Sequence, residues 1–179
     1  MTSLTPFRQL FLGGARSGKS SLAEQAAKNS GLHVVYVATA QVSKRNEPGS
    51  MAARVAIHKE RRPSVWGLVE EPLALSQVLS DLDHTPCCVL VDCLTLWLSN
   101  HLCGEEDDMD SVLEALVSQV GQTRHHLILV SNEVGSGIVP LGELSRQFQD
   151  YSGVMNQRLA QVCDEVTLAV AGLPLSLKK

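Results

Sequence analysis

Eight consecutive residues, Gly13-Gly14-Ala15-Arg16-Ser17-Gly18-Lys19-Ser20, fit the pattern G-x-x-x-x-G-K-[ST] at every specified position. They follow the apolar run Gln9–Leu12 and precede the alanine-rich stretch Ser21–Asn29, where Leu22, Ala23, Ala26 and Ala27 recur at helical spacing. A chain so arranged has to run a strand into a tight turn and leave it as a helix. Gly13 and Gly18 can take positive φ without steric cost, so the loop curls and aims its backbone N–H groups inward. The positive end of the helix dipole points at the same spot, which makes it an anion seat. Lys19 reaches the β- and γ-phosphates of a nucleotide and is a candidate catalytic residue, while the Ser20 hydroxyl suits Mg²⁺.

The remainder alternates in the same way. Val34–Ala38, opened by His33, is a continuous apolar run of the kind that parallel strands show when both faces are buried. The pattern predicts further strands at Val65–Val69, Cys87–Val91, Leu127–Val130 and Val166–Val170, with Leu173–Leu177 pairing back across Gly172. Helices are predicted at Met51–Arg61, Pro72–Leu82, Ser111–Val120 and Leu141–Val162, and Ser43–Gly49 reads as a loop. Strands alternating with helices imply an α/β fold with helices on both faces of a mostly parallel sheet. With 179 residues, 44% of them apolar, and no linker or internal repeat, the expectation is one domain over 1–179.

Net charge is −4, so no global field recruits nucleic acid or an acidic membrane. Any anion site is local. No apolar run reaches the ~18 residues of a membrane span, and no charged-then-apolar leader opens the sequence. Cys87, Cys88, Cys93, Cys103 and Cys163 show no CxxC and no zinc-ligand spacing with histidine. They are expected to be buried, reduced thiols of a cytoplasmic protein.

A loop of this kind needs a carboxylate from a neighbouring strand to hold magnesium. Asp92, closing Cys88–Val91, is the candidate, with helix capping as the competing role because Cys93-Leu94-Thr95 can begin a helix. Glu133, beyond the next strand, falls on the same sheet edge but no motif assigns it a role. Arg54, His58 and Arg61 stand at i, i+4 and i+7 and share one helix face, flanked by Lys59 and Arg62. Two readings stand: a solvated basic face, or a second phosphate-handling element. In the second, a neutral imidazole attacks phosphorus and guanidinium groups offset the charge that builds on its oxygens. His33, His84, His101 and the pair His125-His126 lack such company and read as structural, with His84 and His101 in loop-like stretches.

Over nearly its whole length the chain resembles the bifunctional adenosylcobinamide kinase/adenosylcobinamide-phosphate guanylyltransferase family of cobalamin biosynthesis. The segments that carry the resemblance are Gly13–Ser20, Tyr36–Ala40, Met51–Val55, His58–Pro63, Val91–Thr95, Ser131–Pro140 and Asn156–Ala160. The blocks NEVGxGIVP and HxxxRP are its most specific parts. The resemblance implies a RecA-like P-loop NTPase fold: a three-layer sandwich with a mostly parallel central sheet and a C-terminal antiparallel edge. It implies transfer of the γ-phosphate of ATP or GTP to adenosylcobinamide. A second reaction follows, in which His58 carries GMP from GTP to adenosylcobinamide phosphate. The implied nucleotide contacts are Gly13–Ser20, Ala38, Thr39, Ala40, Lys59, Glu60, Arg61, Arg62, Glu70 and Asp92. Ser20 and Asp92 are the implied Mg²⁺ ligands, and the implied assembly is a homo-oligomer, trimeric in the family. Gly135, Gly137, Arg146 and Asp150 remain candidates for corrin recognition or a subunit contact. Two alternatives are a simple P-loop kinase for a small metabolite and, from a different class, a nucleotide-gated binding module.

Overall fold

Apolar runs too continuous to alternate in and out of solvent form the interior of a sheet covered on both sides. The computed structural model describes residues 5–41, 63–82, 86–104 and 108–179. Within them the chain runs β1 (Phe7–Gly13), α1 (Lys19–Asn29), β2 (Val34–Ala38), β3 (Gly67–Glu70), α2 (Leu75–Leu82), β4 (Cys88–Asp92) and α3 (Leu94–Leu102). It continues through α4 (Met109–Gln122), β5 (His126–Asn132), α5 (Glu143–Val162), β6 (Glu165–Val170) and β7 (Leu173–Lys178). The helix expected at Met51–Arg61, the loop Ser43–Gly49 and His84 lie outside the described residues.

One seven-stranded sheet has the order β3-β2-β4-β5-β1-β6-β7. All neighbours pair in parallel except β6 and β7, which form an antiparallel edge through the turn at Ala171-Gly172. This is the mostly parallel α/β sheet with an antiparallel C-terminal edge that was expected. Alternate strand residues sort into two cores. Leu10, Val37, Val89, Val91, Leu127 and Leu129 pack with the apolar stripes of α2, α3, α4 and α5. Phe11, Tyr36, Leu90, Ile128 and Val130 pack with Ala23 and Ala27 of α1. Small residues on α1 let that helix lie close on the sheet, which keeps its N-terminus at the sheet edge.

Three expectations are corrected. The segment after Asp92 is a full helix, α3, and His101 is buried within it, edge-on to Trp97 with ring centroids 4.7 Å apart, instead of sitting in a loop. The helix predicted from Pro72 starts at Leu75, because the Glu71 carboxylate accepts the N–H groups of Leu73 and Ala74, each at 2.9 Å, and holds them in a turn. Cys103 is exposed, although Cys87, Cys88 and Cys163 are buried as expected; all five thiols are free. Burial pushes the Cys163 thiol up to about 12 and the Cys88 thiol to about 11.

Candidate active site

Sheet register decides which residues meet. Ala38 on β2 pairs with both Glu70 on β3 and Asp92 on β4, so three strands end level. Beyond them β5 lies between β4 and β1, with Asp92 opposite Val130 and Asn132 opposite Gly13. The carboxyl edge of the sheet therefore carries Glu70, Ala38–Ala40, Asp92 and the loop Gly13–Ser20 in one row. Ligands of open α/β sheets bind at this edge. Of the sequence-predicted residues, Lys59, Glu60, Arg61, Arg62 and His58 lie outside the described residues.

The loop is shaped from both sides. Gly18, the N-cap of α1, has φ +96°, a conformation natural to glycine, and Arg16 takes a left-handed φ of +59°. Ser17 N–H bonds the Gly14 carbonyl at 3.2 Å, and the Glu133 amide donates to the Gly13 carbonyl at 3.1 Å. On the opposite flank the Gly172 amide, at the turn between β6 and β7, donates to the Ser17 carbonyl at 2.8 Å. The first N–H groups of α1 open into the space so enclosed, since a helix start leaves them without partners of its own.

Lys19 is buried, and its Nζ donates to the Gly14 carbonyl at 3.2 Å. Desolvation lowers its pKa, and the charges of Cys93 and Asp92 act in the opposite direction. Lys19 and Asp92 thus share one microenvironment. Asp92 also accepts the Tyr36 hydroxyl; burial first, then the Asp92 charge, raises the Tyr36 pKa. Asp92 closes β4, while Cys93 takes the N-cap position of α3, so capping is not the aspartate's part.

A second set of bonds fixes the strand ends. Thr39 Oγ1 donates to the Cys93 carbonyl at 2.7 Å and accepts its amide at 3.1 Å. Asn100 on α3 donates to the Thr39 and Pro72 carbonyls at 2.8 and 3.0 Å. Thr95 Oγ1 accepts the Asn132 amide at 2.8 Å, and Asn156 on α5 donates to the Asn132 carbonyl at 3.1 Å. Sequence reasoning missed Tyr36, Thr95, Asn100 and Gly172 as supports of the site. Thr95 and Asn100 are polar residues beside apolar runs, Tyr36 lies inside one and Gly172 marks a turn, and none of these signals names a partner; the pairing itself is three-dimensional.

The fit to a metal can be tested on the donor set. Asp92 and Ser20 offer hard oxygens, and among the described residues no three His, Cys, Asp or Glu converge. That sparse set suits Mg²⁺, which keeps its waters and takes substrate phosphates beside one or two protein oxygens. The buried Ser17 Oγ has no hydrogen-bond partner, a donor available to a phosphate oxygen.

Fold and site together define a P-loop nucleotide-binding protein of the α/β class, built on a mostly parallel sheet. A solved type III secretion system ATPase of pathogenic bacteria shares that fold, with a TM-score of 0.55, 12% identity, and coverage of 94% of this chain and 56% of its own. The family model described as cobinamide kinase/cobinamide phosphate guanyltransferase matches residues 9–177, and the chain belongs to that family. It is 51% identical over 172 residues to the bifunctional adenosylcobalamin biosynthesis protein CobP of Pseudomonas aeruginosa, covering 96% of this chain and 97% of the relative. It is 36% identical to the corresponding protein CobU of Salmonella typhimurium, covering 94% and 98%.

Proposed function

We propose that this chain, as one nucleotide-binding domain, performs two successive transfers. In the first, the aminopropanol hydroxyl of adenosylcobinamide attacks the γ-phosphorus of ATP or GTP. A new P–O bond forms, the bond to the β-phosphate oxygen breaks, the hydroxyl proton leaves, and the nucleoside diphosphate departs. In the second, the His58 imidazole attacks the α-phosphorus of GTP and pyrophosphate leaves. A phosphate oxygen of adenosylcobinamide phosphate then displaces the histidine, giving adenosylcobinamide-GDP and free imidazole.

The amides of Gly13–Ser20 and the Lys19 ammonium hold the β- and γ-phosphates in both steps. A grip on those two groups serves a departing diphosphate and a departing pyrophosphate equally. Ser20 and Asp92 would hold Mg²⁺, which when bound neutralises phosphate charge. Ala38, Thr39, Ala40 and Glu70 border the rest of the nucleotide, and Lys59, Glu60, Arg61 and Arg62 accompany His58. The reading includes a cytoplasmic homo-oligomer, trimeric as in the family; no helix among the described residues is long and apolar enough to cross a membrane.

The observation that carries the proposal is the parallel order β4-β5-β1, which brings Lys19 and Asp92 into one microenvironment at the carboxyl edge. Incubation with α-labelled GTP tests it. The label should be retained after denaturation in base, lost in acid, and absent from His58→Ala and from samples with EDTA. An unlabelled protein that still phosphorylates a hydroxyl is the simple kinase.

A further inference from the structure

The loop after β5, residues 134–142, is braced in a way that neither transfer step explains. Glu133 Oε1 accepts the Gly135 amide at 2.6 Å, and Gln149 on α5 donates to the Val134 carbonyl at 3.3 Å. Arg146 donates to the Pro140 carbonyl at 3.3 Å and also to that of Leu141. Between these anchors the loop presents apolar side chains to solvent: Ile138 and Leu141 are each 97% exposed and Val139 64%. Three side chains thus hold an apolar lip in the open. Beneath the lip is a cavity of about 330 Å³ between the end of α3, the loop and the first turns of α5. Its walls are largely apolar, from Leu102, Val134, Pro140, Leu144 and Phe148. Ser99, Ser145 and Gln149 add hydroxyl and amide groups, and among the described residues no charged side chain lines it.

We propose that this cavity and lip form the subsite for the corrinoid acceptor. The inference rests on the function proposed above and assigns its acceptor a place. A corrin is an apolar ring fringed with methyl groups and neutral amides. An apolar wall with scattered hydroxyl and amide groups, and without charge, matches that fringe. The cavity takes one edge of the macrocycle, and Ile138 and Leu141 lie against its face. Position supports the same occupant. Val134 follows Glu133, whose amide bonds the first residue of the phosphate loop, and Ser99 precedes Asn100, which bonds Thr39. Both walls are thereby tied to the nucleotide edge, so an acceptor held there can turn its hydroxyl arm toward the γ-phosphate.

Cys103 lines the cavity and is exposed, which supplies a probe. Dicyanocobinamide at ten times its Kd should slow alkylation of Cys103 by iodoacetamide about tenfold, as simple occupancy requires, whereas GTP should leave the rate unchanged. Leu144→Asp, at a half-exposed position, should raise the KM for cobinamide at least about tenfold by placing a carboxylate against the ring. The KM for GTP and the yield of guanylylated enzyme should stay as in wild type. Turnover of cobinamide by wild type with Cys103 unprotected and an unchanged KM in Leu144→Asp would overturn the subsite alone. A changed oligomeric mass in Leu144→Asp without a change in corrinoid KM would overturn it too, making the face a subunit contact. Wild type that phosphorylates no cobinamide would remove the function reading and the subsite together.

Discussion

Alanine at Gly18 and at Gly172 separates backbone strain from packing in the phosphate loop. Both residues are left-handed, with φ of +96° and +80°. Each alanine therefore incurs about 1–2 kcal/mol of conformational strain. Their surroundings differ. A Cβ on Gly172 meets nothing within 4 Å, whereas one on Gly18 would lie 3.0 Å from Gly172 Cα. Carbon atoms prefer about 3.5–4.0 Å, and the neighbour here is backbone held by its 2.8 Å bond to Ser17. Overpacking of that kind adds about 1–3 kcal/mol. Gly172→Ala should then lose about 1–2 kcal/mol and Gly18→Ala about 2–5 kcal/mol in urea unfolding. GTP titration should show Gly18→Ala binding at least about tenfold more weakly, because about 1.4 kcal/mol at the cradle is a decade in Kd. Equal losses for the two variants would refute the claim that the turn between β6 and β7 packs on the loop.

Thr95→Val keeps its shape but orphans the Asn132 amide, so unfolding and amide exchange at Asn132 should report a loss of about 1–3 kcal/mol. Lys178 Nζ donates to the carbonyls of Ala160, Gln161 and Cys163 at the end of α5. Lys178→Met should cost about 1–2 kcal/mol by thermal melting, exposure having reduced the ionic share. Burial lowers the His126 pKa, against the smaller opposing effect of Glu165. The unfolded chain then binds the proton more tightly, so stability rises with pH through the window below about 6.5. Unfolding measured across that window should show the slope in wild type and lose it in His126→Gln.

Legibility followed local physics. The strand-loop-helix at Gln9–Asn29 and the hairpin across Gly172 were readable because glycine positions and apolar runs are local signals. The start of α2 was misread because capping by Glu71 is a side-chain bond that no periodicity encodes. Helix α3 was seen only at its first residues. Its buried residues Leu94, Trp97, Leu98 and His101 stand at i, i+3, i+4 and i+7, but two members of the buried face, Thr95 and His101, are polar and do not register in an apolar pattern. Asp92 and Lys19 were legible singly, each from its place after an apolar run. Their meeting depends on β5 entering between β4 and β1, a pairing between distant segments. Tyr36, Thr95 and Asn100 were hidden for the same reason.

The nucleotide grip is encoded early, yet β1 gains its outer neighbour, β6, only far downstream; Arg8 and Asp164, bonded across that join, stand 156 positions apart. A ribosome adding about 5–20 residues per second needs roughly eight to thirty seconds to bridge that gap. Late in this interval Glu133 becomes available to bond Gly13, but the brace at Ser17 still waits for Gly172. A product cut short before Gly172 would therefore carry the motif without its brace at Ser17.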